Sequence, residues 1–185
     1  MHQHGSDCLD LVARRYSCRR FRDEQISDDE LGVLLEAARL SPSARNLQPT
    51  RLCVVQKAEG LAKIDRCTAC RYGAPTVIIA AYDERRSSHP VPPKGPETCD
   101  FGDIDTAIAL TNMENAAASL GLAACWVGAF DHDLVRELFR VPEPYRLVEL
   151  LMVGYPDMEP SPKHGERRAL AEMVAREAFS DAGVA

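Results

Sequence analysis

Residues 103–120 form the segment that most limits how this chain can fold. Apolar side chains recur along it and alanines occupy much of the remaining surface, which predicts a helix that is apolar on every side. Its larger apolar residues are Ile104, Ile108, Leu110, Met113 and Leu120. Such a helix has to be covered by other protein. The segment therefore predicts a helix that ends at Gly121 and is buried either in the core or in a subunit interface.

Apolar runs of strand length lie on both sides of this helix in the sequence. Residues 76–82 (TVIIAAY) and 147–153 (LVELLMV) are typical of buried strands. Glu149 interrupts the second run, and we expect it to face solvent near a sheet edge. The other predicted elements are strands at 51–56 and 125–127, a helix after the capping box at Ser27, and helices over 58–66 and 131–139. Strands that alternate with helices indicate an α/β or α+β fold.

The length and charge of the chain limit its class. A chain of 185 residues fits a single domain over 1–185, with residues 1–6 (MHQHGS) expected to be a disordered end or an addition from cloning. A net charge of −6 argues against nucleic acid as a partner. No apolar run approaches the roughly 20 residues that span a bilayer, and the N-terminus lacks the apolar core of a signal peptide. We therefore expect a cytoplasmic protein with no nucleic-acid or membrane partner.

The seven cysteines, an odd number without a paired framework, are expected to be reduced thiols. Cys67 and Cys70 form a CxxC pair, which raises the alternatives of a metal site and a redox site. A structural zinc site needs about four ligands, and no second pair follows. A thioredoxin-type pair lies between a strand and a helix, whereas this one runs into the strand 76–82. We expect no metal and interpret the pair as small residues packed beside a strand.

Three polar clusters lie far apart in the sequence, at 14–21 (RRYSCRRF), 42–49 (PSARNLQP) and 163–168 (KHGERR). Arginine and serine supply the converging donors that a phosphate requires. Each cluster alone is more typical of a solvated surface. Together, the two basic clusters suggest one anion site built from both ends of the domain.

Several common catalytic signatures are absent from the sequence. It contains no Walker, GxGxxG, HExxH or GxSxG motif, and its five histidines have no spacing typical of a ligand set. An anion site without a visible acid, base or nucleophile is typical of an enzyme whose cofactor carries the reaction. No residue is therefore assigned a catalytic role. The proline-rich stretch 87–96 is a predicted loop, either a lid or an ordinary surface loop.

The order of these segments resembles the FMN-dependent nitroreductase family. RYSCRRF is similar to the N-terminal signature of that family, and SPSARNLQPTRLCVV is similar to its segment with asparagine before Gln-Pro. Counterparts of IDTAIALTNMENAAASLGLAACWVGAFD, VELLMVGYP and PKHGERRALAEMV follow in the family order. The resemblance covers roughly residues 9–175.

The resemblance implies FMN-phosphate contacts at both ends of the chain. Arg15 and Ser17 match positions that hold the phosphate, and Tyr16 between them matches a position that lends its backbone. Arg167 and Arg168 match basic positions that reach the phosphate from the C-terminal end.

The resemblance also implies contacts to the flavin ring. Arg19 matches a basic residue near the pyrimidine edge, where a fixed cation stabilises negative charge, and Asn46 matches an amide that bonds the ring. Gly128 and Ala129 match backbone positions where small residues let the chain approach the flavin closely. Thr50 stands where the family usually has an aromatic residue after Gln-Pro, and Ala129 stands where glycine is common.

The fold implied by the resemblance is α+β, with a central mixed β-sheet flanked by helices. It also implies an intertwined homodimer with FMN at the interface and the helix 103–120 at its centre. The implied activity is ping-pong hydride transfer from NADH or NADPH to a small-molecule acceptor such as a nitroaromatic or a quinone. The alternatives are FMN storage or sensing without turnover, and a specialised flavin oxidase, dehalogenase or flavin-cleaving enzyme on the same fold. The natural substrate and the choice between NADH and NADPH stay open.

Overall fold

A computed structural model describes residues 3–89 and 100–179, with side chains from residue 7 onward. The helices are α1 Gln3–Arg14, α2 Asp28–Arg39, α3 Ala58–Cys67, α4 Phe101–Ser119, α5 His132–Leu138 and α6 Leu170–Met173. The strands are β1 Thr50–Val55, β2 Thr76–Asp83, β3 Ala123–Val127 and β4 Tyr145–Gly154. Most of the predicted loop 87–96 lies outside the described residues. Within them, no helix is both long and apolar enough to cross a membrane.

The four strands form one sheet in the order β1-β2-β4-β3. All three neighbouring pairs are antiparallel, so the expectation of a mixed sheet is wrong for the residues described here. The reason lies in the connections. Helix α4 joins β2 to β3, which run in the same direction, but β4 lies between these strands and no parallel neighbours result. An isolated parallel bridge joins Ser17 to Ala124 at the β3 edge.

Helices cover both faces of the sheet, which confirms the α+β class. Every residue of β2 is buried, as the unbroken apolar run 76–82 predicts. On one face, α4 contributes Leu110, Met113 and Ala117 to a cluster with Ile78. On the other face, the cluster includes residues of α3 and α5. The sheet is therefore the middle layer of the domain.

Helix α4 is covered on only part of its surface within the described residues. Met113 and Leu110 are fully buried in the core of the chain, whereas Ile104 is 43% exposed and Leu120 is 37% exposed. Its core-facing side satisfies the prediction of a buried helix. Met113, which lies on that side, is thereby excluded as an interface residue.

The helix starts follow the sequence signals where capping residues are present. Ser27 and Glu30 form the predicted capping box of α2, and the Asp131 side chain accepts from the Leu134 N–H at the start of α5. Helix α1 was missed by pattern reasoning. It begins at Gln3, so residues 3–6 belong to a helix although the sequence argument left them out of the fold.

The expectation that Glu149 faces solvent near a sheet edge is wrong. Strand β4 lies between β2 and β3, and Glu149 pairs with Ala80 beside a register shift in the β2–β4 ladder. Its Oε2 atom is buried and has no hydrogen-bond partner among the described residues. The apolar run identifies the strand correctly, but it does not reveal that a carboxylate is accommodated inside it.

Candidate functional site

One cavity brings together side chains from both ends of the chain. It has a volume of about 200 Å³ and is lined by Arg15, Tyr16, Ser17, Arg19, Ser161, Lys163, His164 and Arg167. Four of these residues are arginine or lysine, and none is acidic. This cationic cavity, as we call it, presents the forked guanidinium and ammonium donors that bind phosphate. Lys163, His164 and Ser161 were not assigned from the sequence, although two of them belong to its third polar cluster.

Two long-range hydrogen bonds hold the cavity together. The His164 Nε2 atom lies 2.7 Å from the Ala13 carbonyl oxygen, which links the C-terminal turn to the end of α1. The Tyr16 hydroxyl donates to the Met158 carbonyl at 2.7 Å. Burial is the main cause that raises the pKa of Tyr16 to about 12, so its hydroxyl keeps its proton and remains a donor at neutral pH. Segments more than 140 residues apart are thereby fixed side by side.

The first basic segment is anchored to the edge of the sheet. The Cys18 backbone N–H donates to the Ala124 carbonyl at 3.0 Å, beside the bridge between Ser17 and Ala124. The Cys18 side chain is fully buried. Because Cys18 is fixed in the core, the exposed side chains of Ser17 and Arg19 on either side of it are left for the cavity.

The two C-terminal arginines differ in their placement. Arg167 lines the cavity, and its Nη1 atom donates to the Glu166 carbonyl at 2.7 Å. Arg168 is exposed and is not among the lining residues. Arg20 also lies outside the cavity, where its Nε atom is 3.1 Å from Asp157 Oδ2. The structure therefore brings together Arg15 and Arg167, but not Arg168.

Asn46 lies in a different part of the chain from the cationic cavity. It ends the short 3-10 turn Ala44–Asn46 with a positive φ of 56°, and its Oδ1 accepts from Gln48 Nε2 at 3.1 Å. The turn is tied to α4 by the Ala44 N–H, which donates to Asp105 at 2.8 Å. Asp105 and Glu114, the α4 residue that contacts Arg15, are nine positions apart in the helix, or about 13 Å along its axis. Asn46 does not line the cationic cavity.

Gly128 and Ala129 follow β3 and are exposed, outside the lining of the cationic cavity. A Cβ atom at Gly128 would lie 2.9 Å from Glu149 Oε1, so this chain itself requires a small residue there. The Ala129 carbonyl accepts from the Thr68 hydroxyl at 2.7 Å. The close approach inferred for Gly128 is therefore present, but the group that approaches is the Glu149 carboxylate.

Buried polar atoms without hydrogen-bond partners gather around α4. Within the described residues these atoms are Asp105 Oδ2, Asn115 Oδ1, Trp126 Nε1 and Glu149 Oε2. Two belong to α4, and the other two belong to the strands β3 and β4. Buried polar groups are normally paired, so this region lacks donors and acceptors that another molecule or subunit can provide.

The CxxC pair is part of the packing around α3. Cys67 ends that helix, is 5% exposed, and its thiol donates to the Lys63 carbonyl at 3.2 Å. Burial raises the pKa of the Cys67 thiol. Cys70 packs against the same core cluster. Among the residues that the structure describes, no three His, Cys, Asp or Glu side chains are grouped as a metal site.

The architecture and the cavity together define an α+β protein with a preformed anion site at the edge of an antiparallel sheet. The sequence model of the Nitroreductase family matches residues 12–72 and 69–155. The chain belongs to the Nitroreductase family.

Individual relatives agree with this assignment. The crystal structure of a nitroreductase family protein from Clostridium difficile 630 is 33% identical, with a TM-score of 0.85 over 92% of this chain and 98% of that one. A protein of Archaeoglobus fulgidus, provisionally named NADH dehydrogenase/NAD(P)H nitroreductase, is 30% identical over 92% of this chain and 98% of its own length. A provisional nitroreductase from Desulfovibrio desulfuricans, crystallised in complex with FMN, is 27% identical, with a TM-score of 0.77 over 93% of this chain and 97% of its own.

Proposed function

We propose that this protein is an FMN-dependent oxidoreductase that uses NADH or NADPH to reduce nitroaromatic, quinone or related acceptors by ping-pong hydride transfer. The name of the A. fulgidus relative contains the NAD(P)H nitroreductase activity, and the D. desulfuricans relative was crystallised with FMN. The observation that carries the proposal is the cationic cavity, in which Arg15, Ser17 and Arg167 lie together.

The donors of the cationic cavity fit a phosphate group. Arg15 and Arg167 offer guanidinium groups, Lys163 offers an ammonium, and Ser17 offers a hydroxyl. Charge-assisted hydrogen bonds of this kind are about twice as strong as neutral ones. No acidic side chain lines the cavity to oppose a doubly charged anion. We assign these four residues to the FMN phosphate, with Tyr16 shaping the wall between them.

Arg19 is assigned to the pyrimidine edge of the flavin ring. Its backbone N–H donates to Met158 Sδ at 3.2 Å, and its exposed side chain lines the same cavity as the phosphate donors. A fixed cation there stabilises negative charge that develops on the ring. When bound, FMN supplies the hydride relay between nicotinamide and acceptor, so no side chain of this chain is required as a nucleophile or a general acid.

Asn46 and the pair Gly128–Ala129 are assigned to the ring as well. Because Asn46 lies apart from the cationic cavity of its own chain, we propose that it completes the site anchored by the cavity of a partner subunit. Arg168 is assigned a supporting role in the electrostatic potential at the phosphate, since its exposed side chain neighbours Arg167 in sequence. Each active site then needs residues of two chains.

A homodimer is supported by apolar side chains that the described part of a single chain leaves uncovered. The exposed large apolar residues of α1, α4 and the C-terminal segment are Leu9, Val12, Ile104, Leu120, Leu170, Met173, Val174 and Phe179. Burying this surface against a second copy is favourable by about 25 cal/mol per Å². The proposal places the protein in the cytoplasm, where reduced nicotinamides are available and an odd set of seven thiols stays reduced.

Anaerobic mixing tests turnover. Addition of NADH or NADPH to the FMN-loaded protein should bleach the flavin absorbance, and a quinone or nitroaromatic should restore it. Steady-state plots with both substrates varied should give parallel lines. If a chemical reductant bleaches the flavin and neither nicotinamide does, a storage or sensing role replaces the proposed enzyme.

A further inference from the structure

A second cavity lies at the other end of α4, between that helix, α2 and the loop that follows α2. Its volume is about 230 Å³, and it shares no lining residue with the cationic cavity. The lining residues that matter here are Ala38, Arg39, Thr50, Arg51, Asp105 and Ala109. We call it the Asp105 cavity. None of these residues has a place in the proposed flavin site.

Asp105 is a buried carboxylate with one oxygen left unpaired. The residue is 3% exposed, and its Oδ1 atom accepts from the Ala44 N–H at 2.8 Å. Its Oδ2 atom has no hydrogen-bond partner among the described residues. An unpaired buried oxygen of a carboxylate is costly, so a donor that reached it would be bound favourably.

The volume of the cavity follows from small side chains. Thr50 occupies the position after Gln-Pro where the resembling motif usually carries an aromatic residue, and its Oγ1 lies 3.3 Å from Thr106 Oγ1. Ala38 and Ala109 give the cavity apolar walls. At about 30 Å³ for one water in the liquid, the space is large enough for a single ring with one substituent.

The other charged residues of the cavity wall have partners of their own. Arg39 makes two hydrogen bonds to the Glu36 carboxylate, at 2.7 and 2.6 Å. Arg51 Nη1 donates to the Thr50 carbonyl at 2.8 Å. Among the described residues that line the cavity, Asp105 is the one acidic side chain. The unmet requirement is therefore a donor, and a positively charged donor also compensates the buried carboxylate.

We propose that the Asp105 cavity binds a small ring that carries an amidinium or primary ammonium group, with the cationic nitrogen donating to Asp105 Oδ2. The planar amidinium has the fork geometry that matches a carboxylate. The ring occupies the space beside Thr50 and the two alanines. This site is independent of the proposed flavin chemistry, because it uses none of the residues assigned to FMN.

Calorimetric titration of the full-length protein with benzamidine tests the proposal, with benzamide and benzoate as ligands of the same shape. Benzamidine should bind, and benzoate should bind at least tenfold more weakly. Asp105→Asn should weaken benzamidine binding by about tenfold to a hundredfold, because a charge-assisted contact is lost. Asparagine keeps an oxygen acceptor for the Ala44 N–H. Arg51→Gln should strengthen benzamidine binding, since it removes a like charge from the wall.

A second variant separates loss of the ligand site from loss of the fold. Thr50→Trp should fill the cavity and abolish benzamidine binding, with circular dichroism and flavin content unchanged. Equal benzamidine affinity in the wild type and Asp105→Asn would overturn the proposal, as would a folded wild-type protein that binds no benzamidine. If benzamidine fails to bind and Asp105→Asn dissociates the dimer, the partner subunit fills the cavity and the proposal is wrong. Flavin content, measured on the same samples, reports separately on the proposed function.

Discussion

The Nη1 atom of Arg15 lies 3.9 Å from Oε1 of Glu114, and this ion pair joins the cationic cavity to the middle of α4. The Glu114 side chain is 9% exposed. Burial raises the pKa of the Glu114 carboxyl, and the Arg15 charge opposes that rise. Arg15 therefore divides its charge between a buried carboxylate and the anion that enters the cavity, and Glu114 determines where its guanidinium is held.

Replacement of Glu114 by glutamine keeps the shape of the side chain and removes its charge. We expect the FMN affinity of Glu114→Gln to fall about threefold to tenfold, because Arg15 loses an orienting contact worth about 1 kcal/mol. Fluorescence titration measures the change. Glu36→Gln, which breaks an exposed pair on α2, is the control and should bind FMN normally. Wild-type affinity in Glu114→Gln would show that other contacts position Arg15.

Glu149 should make stability depend on pH. Burial raises the pKa of its carboxyl, so the folded state holds this proton at pH values where the unfolded state has released it. Stability is then lost as pH rises from the unfolded pKa through the folded one. Glu149→Gln should unfold at a higher temperature than the wild type at pH 7, by about 1–3 kcal/mol of unfolding free energy, and the two should converge near pH 4. A variant that is less stable at pH 7 would contradict the assignment of Glu149 as an unpaired buried acid.

Gly128 should tolerate no side chain while Glu149 is present. An added Cβ would lie 2.9 Å from the Glu149 carboxylate, so Gly128→Ala should destabilise the fold by about 1–3 kcal/mol. Glu149→Ala removes the clashing atoms. In a double-mutant cycle followed by urea unfolding, the combined variant should lose less stability than the sum of the single variants. Additive losses would mean that the two residues do not meet.

The exposed side of α4 should carry the subunit contact. Ile104 is 43% exposed, so Ile104→Glu should give a folded monomer that has lost FMN. Met113 is fully buried in its own chain, and Met113→Glu should unfold the subunit instead. Sedimentation velocity at micromolar concentration, together with circular dichroism, distinguishes the two outcomes. A dimeric Ile104→Glu variant that keeps its flavin would place the interface elsewhere.

Local patterns predict those parts of the fold that depend on local physics. The apolar run 76–82 and the capping box at Ser27 identify β2 and the start of α2, because burial and capping act within one element. The antiparallel order of the sheet could not be predicted, since it depends on β4 inserting between β2 and β3. The buried position of Glu149 was missed for the same reason.

The candidate site shows the same division. The residue types in the clusters 14–21 and 163–168 indicate an anion site, but the contact between His164 and Ala13 that brings them together spans 151 positions. No periodicity in the sequence carries that information. Asp105 was missed because, within an apolar helix, a carboxylate gives no signal that one of its oxygens is unpaired.

The central claim is that the cationic cavity holds the phosphate of FMN, and a parallel titration with FMN and riboflavin tests it most directly. Riboflavin has the same ring and no phosphate. The account predicts one FMN per subunit, bound at least tenfold more tightly than riboflavin, since charge-assisted contacts are worth about 1.5–3 kcal/mol each. Arg15→Ala and Arg167→Ala should reduce this preference, and Arg20→Ala should keep it because Arg20 pairs with Asp157 outside the cavity. Equal affinity of the wild-type protein for FMN and riboflavin, or no flavin binding at all, would contradict the account.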